Sequence, residues 1–295
     1  MTESFRSGYV SLIGRPNVGK STILNALLGQ KIAIVSDKSQ TTRNRILGIK
    51  TYDNAQIIFI DTPGIHKPRH MLGETMVRAV KEALKEIDMV IFVTEPGRSK
   101  DRDREIIESL KALDRPVMLA INKIDKIKKT ELLSIIDDYK KLFAFKEIIP
   151  LSALKQDGLD ILQENILKYL PEGPKYYPDE LVTDQIERFM VAEIIREKIM
   201  EKTSDEIPYS VAVEVVDWTE RKEGAVLISA NIYVEREGQK GIIIGKKGKM
   251  LKVVGTASRQ DIEKLLGTKV FLQLWVKVRR GWRDNKKILT ELRYV

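Results

Sequence analysis

A phosphate-binding pattern stands near the start of the chain, where residues 14–21 follow G-x-x-x-x-G-K-S. A strand-like apolar run at residues 9–13 precedes it, and a helical pattern at residues 22–28 follows it. In this order the backbone N–H groups of the loop and the positive end of the helix face polyphosphate oxygens. A glycine turn that binds nothing is the alternative, and the complete pattern with both flanks disfavours it. We therefore predict phosphate contacts from Gly14, Arg15, Pro16, Asn17, Val18, Gly19, Lys20, Ser21 and Thr22.

Two side chains of this loop have predicted chemical roles, and a second motif complements them. Lys20 is expected to reach the β- and γ-phosphates, and Ser21 to ligate Mg²⁺. The apolar strand at residues 56–60 runs directly into Asp61-Thr62-Pro63-Gly64. A carboxylate at the end of a buried strand can hold the water shell of Mg²⁺, and a glycine N–H can bond a γ-phosphate because no side chain blocks it. The residues predicted at the terminal phosphate are Asp61, Thr62, Pro63, Gly64 and Ile65.

A third motif has the chemistry to recognise the base. The apolar strand at residues 117–121 ends in Asn122-Lys123-Ile124-Asp125. Guanine carries N1–H and N2–H₂ donors that a fixed carboxylate such as Asp125 can accept, and adenine offers no such donors there. The stem of Lys123 can cover one face of the base, and Asn122 can tie this loop to the phosphate loop. A strand at residues 146–151 leads into a loop whose backbone N–H can meet guanine O6. The predicted base-binding residues are Asn122, Lys123, Ile124, Asp125, Ser152, Ala153 and Leu154.

The elements around these motifs alternate between strands and helices. Strands are predicted at residues 46–52, 56–60, 88–94, 117–121 and 146–151, and helices at residues 102–113, 131–142 and 159–170. This alternation predicts an α/β fold, a P-loop domain with a mixed, mostly parallel sheet and helices on both faces. Each motif follows a strand, and open α/β sheets bind ligands at the carboxyl ends of their strands.

The second part of the chain has a different organisation. A proline-rich stretch, residues 171–182, predicts a semi-rigid linker between domains at 1–170 and 183–295. Thr183 is the expected N-cap of a helix at residues 184–202. Strands follow at residues 210–218 and 226–235, then G-K-K-G between two helices, then a strand at residues 270–278. This order predicts a smaller α+β domain. For Trp275 and Trp282 we expect packing in the core, with stacking on nucleic-acid bases as the alternative.

The basic charge of the chain is concentrated in this second domain. The whole chain carries a formal charge of +9, yet residues 238–287 alone hold 14 Lys and Arg against 3 Asp and Glu. So one-sided a stretch favours a polyanion, either a nucleic acid or an anionic membrane surface. Glycines on both sides of two lysines let the backbone approach phosphates closely. The residues predicted to contact such a polyanion, which is RNA if the domain resemblance given below holds, are Ile244, Gly245, Lys246, Lys247, Gly248, Lys249, Arg279 and Arg280.

Composition excludes several other kinds of site. The chain has no cysteine, which rules out a disulfide framework and a thiolate zinc site. Its two histidines, His66 and His70, lie in a loop without ligand-spaced carboxylates, and we expect them to be solvated. The longest apolar runs have the length of strands and residues 1–8 lack the apolar segment of a signal peptide, so we expect a cytoplasmic protein.

The ordered nucleotide motifs resemble those of the translation-factor-related GTPases, and the second domain resembles a type II KH domain, whose GXXG loop clamps single-stranded nucleic acid. Together the two resemble the Era-type GTPases over about residues 6–295. The resemblance implies GTP and GDP as ligands with Mg²⁺ held by Ser21, by Thr42 and, through water, by Asp61. Thr41 is the alternative to Thr42. It further implies that Lys20, Thr42 and Gly64 act in hydrolysis.

Three positions depart from or extend that pattern. Ile65 occupies the position at which Ras-like GTPases keep a glutamine that orients the attacking water. Asn17 stands where potassium-dependent GTPases hold a K⁺, although a role in shaping the loop is an equal alternative. Leu154 replaces a frequent lysine. We therefore expect hydrolysis that is slow alone and faster with RNA, the ribosome or K⁺.

The resemblance also implies partners. These are the 3′ end of 16S rRNA, the 30S ribosomal subunit during its assembly, and the inner face of the cytoplasmic membrane as a peripheral contact. We do not expect binding to DNA, and we expect the protein to be a monomer. Two other function classes stay open at this point. One is an RNA-binding scaffold whose nucleotide site is structural. The other is a metabolic P-loop kinase, against which the guanine-reading motif stands.

Overall fold

The computed structural model describes residues 4–38, 41–64, 68, 70–97, 100–221 and 224–294. The chain forms two compact units. The first comprises Met1–Val35, Thr42–Lys67 and Met76–Asp184, and the second comprises Ser36–Thr41, Pro68–Thr75 and Gln185–Val295. Within the described ranges, no helix combines the length and the apolar composition that crossing a bilayer requires.

The first unit is built on a six-stranded sheet. The strands are β1 (Arg6–Ile13), β2 (Ile46–Tyr52), β3 (Ala55–Asp61), β4 (Met89–Thr94), β5 (Val117–Ile121) and β6 (Ile148–Pro150). Their order is β2-β3-β1-β4-β5-β6. Strand β2 is antiparallel to β3, and all the remaining neighbouring pairs are parallel. Strands β3, β4 and β5 are buried along their whole length, as expected when both faces of a parallel sheet are covered. The predicted fold class is confirmed.

Among the described residues of this unit, four α-helices connect the strands and a fifth follows β6. They are α1 (Lys20–Leu28), α2 (Met71–Ala83), α3 (Lys100–Leu110), α4 (Lys129–Lys140) and α5 (Leu159–Tyr169). No helix was predicted at the position of α2. Its buried side chains recur every three or four residues, a helical period that was present in the sequence; they are Leu72, Met76, Val80 and Ala83.

The stretch predicted as a linker, residues 171–182, lies in the first unit. The Gly173 N–H donates to the Phe5 carbonyl, and the Val182 carbonyl accepts from the Ile49 N–H at 2.7 Å. Thr183 is not the predicted N-cap, because its hydroxyl donates to the Leu47 carbonyl at 2.7 Å instead. The next helix begins three residues later than predicted, at Glu187.

The second unit contains a three-stranded sheet with helices packed on one face. Its helices are α6 (Glu187–Lys202), α7 (Ile207–Ser210), α8 (Glu237–Ile244), α9 (Lys249–Leu266) and α10 (Lys286–Glu291). The strands are β7 (Ala212–Glu220), β8 (Val226–Val234) and β9 (Val270–Val278), in the order β7-β8-β9. Strand β8 is antiparallel to β7 and parallel to β9. The predicted α+β order is confirmed, and the short helices α7 and α10 are additions to it.

The two tryptophans predicted to be in the core differ in burial. Trp282 is completely buried and its indole N–H donates to the Ser210 carbonyl at 3.0 Å. Trp275 is 46% exposed, so its prediction was wrong. The strand pattern explains the difference, because Trp275 alternates with Leu274 and Val276 of the core-facing row and therefore points to the other face of the sheet.

The second unit also holds a buried arginine. Arg196 is completely buried on α6 and donates to the carboxylate of Glu193 and to the carbonyl of Thr41. A buried guanidinium needs such partners, because desolvation disfavours an unpaired charge. In the same unit His70 Nδ1 lies 3.2 Å from the Asp284 carboxylate. His66, with which it was considered, lies outside the described residues.

Candidate functional site

The phosphate loop connects β1 to α1, and its path requires glycine at both motif positions. A Cβ at Gly14 would lie 2.2 Å from the Val93 carbonyl oxygen. Gly19 has φ +97°, and a Cβ there would lie 2.2 Å from the Asn122 side-chain nitrogen. No side chain fits at either place without moving the backbone, so the loop lies against the ends of neighbouring strands as the motif predicts.

Lys20 lies under this loop. Its side chain is buried, and Nζ donates to the carbonyls of Gly14 at 3.2 Å and Arg15 at 3.0 Å. Burial lowers the pKa of Lys20 from 10.5 to about 8, while the nearby charge of Asp61 partly opposes that shift. An anionic phosphate beside Nζ would favour the ammonium form, so the site is electrostatically suited to a polyphosphate.

Three oxygen-bearing side chains meet at the end of β3. The Ser21 hydroxyl donates to Asp61 Oδ2 at 2.7 Å and lies 2.9 Å from the Thr42 hydroxyl. The other carboxylate oxygen, Asp61 Oδ1, is buried and makes no hydrogen bond with any residue that the structure describes. Burial raises the pKa of this carboxyl group. Hydroxyl and carboxylate oxygens are the ligands Mg²⁺ prefers, so these residues fit that ion.

The structure distinguishes the two threonines considered as Mg²⁺ ligands. The Thr42 hydroxyl lies 3.3 Å from Asp61 Oδ2, whereas the Thr41 hydroxyl donates to the Lys38 carbonyl at 2.6 Å. The geometry therefore favours Thr42. Elsewhere in the described ranges, no group of three or more His, Cys, Asp or Glu could hold a metal ion.

The segment after Asp61 packs on the phosphate loop. The Thr62 hydroxyl donates to the Leu12 carbonyl at 3.0 Å. A Cβ at Gly64 would lie 2.8 Å from the backbone of Pro16, so only glycine fits this close approach. Pro63 is buried between them. Ile65, predicted to follow at the same site, lies outside the described residues.

One buried amide joins the three loops at the base-binding end. Asn122 Nδ2 donates to the Val18 carbonyl at 2.8 Å, and Asn122 Oδ1 accepts from the backbone N–H of Lys123 and of Ala153. This arrangement contains the tie to the phosphate loop that the sequence analysis expected of Asn122. It brings the loop of Ser152 to the loop of Asn122.

Asp125 is positioned by the neighbouring loop. Its Oδ1 accepts from the Ser152 hydroxyl at 2.5 Å, and this hydrogen bond lowers the pKa of the carboxyl group. The carboxylate thus stays ionised and can accept from donors on a guanine edge. Ile124 starts the single turn of 3₁₀ helix that carries Asp125. The Leu154 side chain is three-quarters exposed.

Lys123 has a left-handed backbone, with φ 64°, and its Nζ donates to the Asn17 carbonyl at 2.6 Å. It also pairs with Glu95, which follows β4 and was not singled out in the sequence. Asn17 is left-handed as well, with φ 66°. The Lys123 stem therefore bridges the base-binding loop and the phosphate loop.

The Arg15 side chain is bound to a protein carboxylate, Asp103. Its Nε donates to Asp103 Oδ1 at 2.7 Å, and the other carboxylate oxygen accepts from Thr94 at 2.9 Å and from Tyr139 at 2.6 Å. Asp103 is only 1% exposed. The Arg15 guanidinium, predicted at the nucleotide, is used in this network, which leaves the Arg15 backbone for the loop. The network itself was missed, because Asp103 stands among the charges of α3 without a distinguishing pattern.

In the second unit the G-K-K-G loop joins α8 to α9. Gly245 and Gly248 have φ +70° and +77°, and Lys247 between them is also left-handed, with φ 52°. The side chains of Lys246, Lys247 and Lys249 are exposed. Ile244, at the end of α8, is only partly buried. The loop thus presents three ammonium groups on a glycine-framed backbone.

A groove of about 370 Å³ begins at this loop and runs between α9 and β9. Its apolar side consists of leucines, and its cations are Lys252 and Arg259, seven residues apart on one face of α9. Bases can stack on such a surface while the cations meet phosphates. The lining residues are Gly248, Leu251, Lys252, Gly255, Thr256, Arg259, Leu272 and Leu274.

The arginines after β9 are less available. Arg279 pairs with Glu291 and its guanidinium lies 5.5 Å from the centroid of the Tyr233 ring. Arg283 pairs with Glu235. Arg280 is exposed. Of the two predicted strand-end contacts, Arg280 is therefore the one with a solvent-facing side chain.

Both units resemble known proteins. A family model described as 50S ribosome-binding GTPase matches residues 9–123, and a KH domain model matches residues 206–283. GTPase Era from Ruminiclostridium cellulolyticum is 52% identical over 295 residues, covering 99% of this chain and 98% of its own. The chain belongs to the Era family of GTPases. The predicted GTPase activity, guanine nucleotide ligand and KH domain are thereby confirmed.

Two solved Era structures resemble this one closely. One is Era in complex with MgGDPNP and nucleotides 1506–1542 of 16S ribosomal RNA, with 45% identity, a TM-score of 0.94 and 99% of each chain covered. The other is an Aquifex aeolicus Era variant bound to GDP and AlF₄⁻, with 44% identity, a TM-score of 0.94, and 99% of this chain and 100% of that chain covered.

Four residues of the two sites were not identified from the sequence motifs. In the nucleotide site they are Glu95 and Asp103, which hold Lys123 and Arg15. In the groove they are Lys252 and Arg259. Only the last pair had a readable signal, a seven-residue spacing on a helix that follows a glycine-framed basic loop.

Proposed function

We propose that this Era-family GTPase is a GTP-controlled binder of the 3′ end of 16S rRNA that acts in assembly of the small ribosomal subunit. The observation that carries the proposal is the groove beside the G-K-K-G loop, with an apolar side and the cations Lys252 and Arg259. A groove of this kind suits a single RNA strand. The Era relative solved with 16S nucleotides and MgGDPNP supports the same pairing of ligands.

In the nucleotide site, Mg²⁺ would be held by Ser21 and Thr42 directly and by Asp61 through water. The metal supplies positive charge to the β- and γ-phosphates. Lys20 adds a second charge there, and the Gly64 N–H meets the γ-phosphate. Because residue 65 is isoleucine, no side chain at that position can orient the attacking water. Intrinsic hydrolysis is therefore slow, and a K⁺ beside Asn17 would add charge at the transition state.

Control of RNA binding would act through the segment that precedes Thr42. Residues 36–41 group with the second unit, where Arg196 donates to the Thr41 carbonyl. Bound GTP orders Thr42 and Gly64 around its γ-phosphate, and hydrolysis releases them. The resulting change in residues 36–41 would alter the second unit and its affinity for RNA.

The rest of the proposal concerns boundaries and location. The GTPase domain would extend over residues 1–170, with a connection at 171–182 and the RNA-binding domain at 183–295. The protein would be a cytoplasmic monomer that binds RNA rather than DNA. The basic residues of the second domain would also provide peripheral contact with anionic lipid at the inner face of the membrane.

The test is equilibrium binding of an oligonucleotide from the 3′ end of 16S rRNA across a salt series. Protein loaded with a non-hydrolysable GTP analogue should bind more tightly than protein loaded with GDP. The Lys246→Ala and Lys247→Ala double variant should bind weakly and lower the salt slope by about 1.4, at about 0.7 per phosphate contact. The matched control is Lys264→Ala, because the Lys264 side chain is 80% exposed on α9 and does not line the groove.

Two results would contradict the proposed function and favour another one. Equal affinity in both nucleotide states would favour a scaffold whose nucleotide is structural. A phosphorylated small-molecule product would favour a kinase. Vesicles containing anionic lipid, sedimented with the protein and with the same lysine variant, test the membrane contact separately.

A further inference from the structure

The sheet of the second unit has a face that helices α8 and α9 do not cover. Along β9 one row of side chains faces the core, and the alternate row faces outward. The outward row includes Phe271, which is 53% exposed, and Trp275, which is 46% exposed. Gln273 and Lys277 complete the row and are exposed too. Two large aromatic rings left in water on one strand are unusual, since such rings normally bury most of their area.

The neighbouring strand β8 has short polar side chains beside these rings, and both are buried, with Ser229 6% and Asn231 5% exposed. On β8, Ser229 lies opposite Gln273, and Asn231 lies opposite Trp275. Both have short side chains, so the rings of β9 stand above them. The guanidinium of Arg221 lies 4.9 Å from the centroid of the Phe271 ring. A cation at an aromatic ring is a combination that also binds nucleobases and phosphates.

Charge divides this face between its two edges. On this face strand β7 carries Glu214 and Asp217, opposite Asn231 and Ser229 of β8, and the Glu214 carboxylate accepts from the Tyr233 hydroxyl. Strand β9 has Lys269 before it and Lys277 near its end. A polyanion would therefore follow β9 and avoid the β7 edge.

Strand β9 also belongs to the groove described above. It is an edge strand, and its inward-facing Leu272 and Leu274 line that groove. The outward aromatic row is the other side of the same strand. An RNA strand that leaves the groove around the β9 edge would reach the rings without crossing another element. Phe271 and Trp275 are four residues apart, or about 13 Å along a strand.

We propose that Phe271, Gln273, Trp275 and Lys277 form a second surface for single-stranded RNA, continuous with the groove, on which unpaired bases stack. This inference rests on the proposed RNA binding of the groove. The surface extends the length of RNA that the protein holds and tolerates different sequences there, because every base offers a flat ring to an aromatic side chain.

The test uses the full chain and two RNA lengths. One is a twelve-nucleotide oligomer from the 3′ end of 16S rRNA, and the other is its tightest-binding four-nucleotide segment, which the G-K-K-G groove alone accommodates. The Phe271→Thr and Trp275→Thr double variant should bind the longer RNA at least about 10-fold more weakly. It should bind the shorter RNA as the wild type does. The matched control is Val216→Thr, because Val216 is 45% exposed on the β7 edge.

A fluorescence measurement tests the surface independently, in case the double variant misfolds. In a Trp218→Phe variant, Trp275 is the exposed tryptophan and Trp282 is buried. The longer RNA should protect Trp275 from iodide quenching, and the shorter RNA should not. Unchanged affinity for the longer RNA in the threonine variant, or quenching unaffected by that RNA, overturns this inference alone. A change in self-association without a change in RNA affinity assigns the surface to a second copy and also overturns it. Failure of the wild type to bind either RNA overturns the proposed function as well.

Discussion

Replacing Asp103 with asparagine tests whether the buried network positions the phosphate loop. The carboxylate accepts three hydrogen bonds, from Arg15, Thr94 and Tyr139, and it is 1% exposed. The amide of the Asp103→Asn variant would offer one acceptor oxygen and place an NH₂ group against donors. Hydrogen bonds to a charged group contribute about 1.5–3 kcal/mol each; with the amide oxygen facing Thr94 and Tyr139, the bond from Arg15 is lost and the other two become weaker bonds to a neutral acceptor. The Arg15 side chain is 11% exposed and regains some solvation, so we expect a loss of about 3–4 kcal/mol.

The chain provides separate probes for the two units. All three tryptophans lie within residues 185–295, so their fluorescence reports on the second unit. A fluorescent GDP analogue at fixed excess reports on the first. In urea, Asp103→Asn should release the analogue at a much lower denaturant concentration and leave the tryptophan transition unchanged. The affinity for GDP should also fall, because the Arg15 carbonyl accepts from Lys20.

The control is Asp101→Asn on the same helix, where the Asp101 side chain is 96% exposed. Its effect should stay within about 0.5 kcal/mol. If Asp103→Asn costs less than about 1 kcal/mol, or no more than the control, the network does not hold the loop and the reasoning is refuted.

Four further predictions concern the nucleotide site. The pKa of Lys20 is lowered to about 8, and a bound phosphate favours its ammonium form, so GTP binding near pH 8 should take up a fraction of a proton. Calorimetry in buffers of different ionisation enthalpy measures this proton uptake. The Lys20→Met variant should abolish the uptake. The same shift means that the unfolded chain binds more protons between pH 8 and 10.5, so stability without ligand should rise with pH across that window. Thr42→Val should raise the Mg²⁺ concentration needed for hydrolysis about 10-fold or more, and an equal effect of Thr41→Val would contradict the ligand assignment. Asp125→Asn should weaken GTP binding about 10- to 100-fold in competition assays and improve binding of xanthosine triphosphate; unchanged nucleotide preference would argue against its role.

The parts of this molecule that local spacing determines were predictable. The phosphate loop, the strands that end in Asp61 and Asn122, and the G-K-K-G loop between helices all follow from patterns a few residues long. The α2 helix was equally predictable from the period of its apolar residues, although it was not predicted. The position of Trp275 was also readable, since it alternates with the inward-facing leucines of β9.

Other features depend on pairs of residues far apart in the chain. The choice between Thr42 and Thr41 needed the distances to Ser21 and Asp61, which adjacent hydroxyls in a sequence do not provide. The partner of Arg15 lies 88 residues away, on a helix with many charges. Such contacts arise from tertiary packing, and no local period announces them.

The segment that follows α5 has a consequence for work with fragments. Strand β2 is an edge of the six-stranded sheet, and residues 182 and 183 hydrogen-bond to its outer side through Ile49 and Leu47. A GTPase fragment ended at residue 170 would expose that edge to other molecules, and bare edge strands promote aggregation. A fragment that retains residues up to 184 keeps the edge capped by its own chain, so the soluble yield of the shorter one should be much lower.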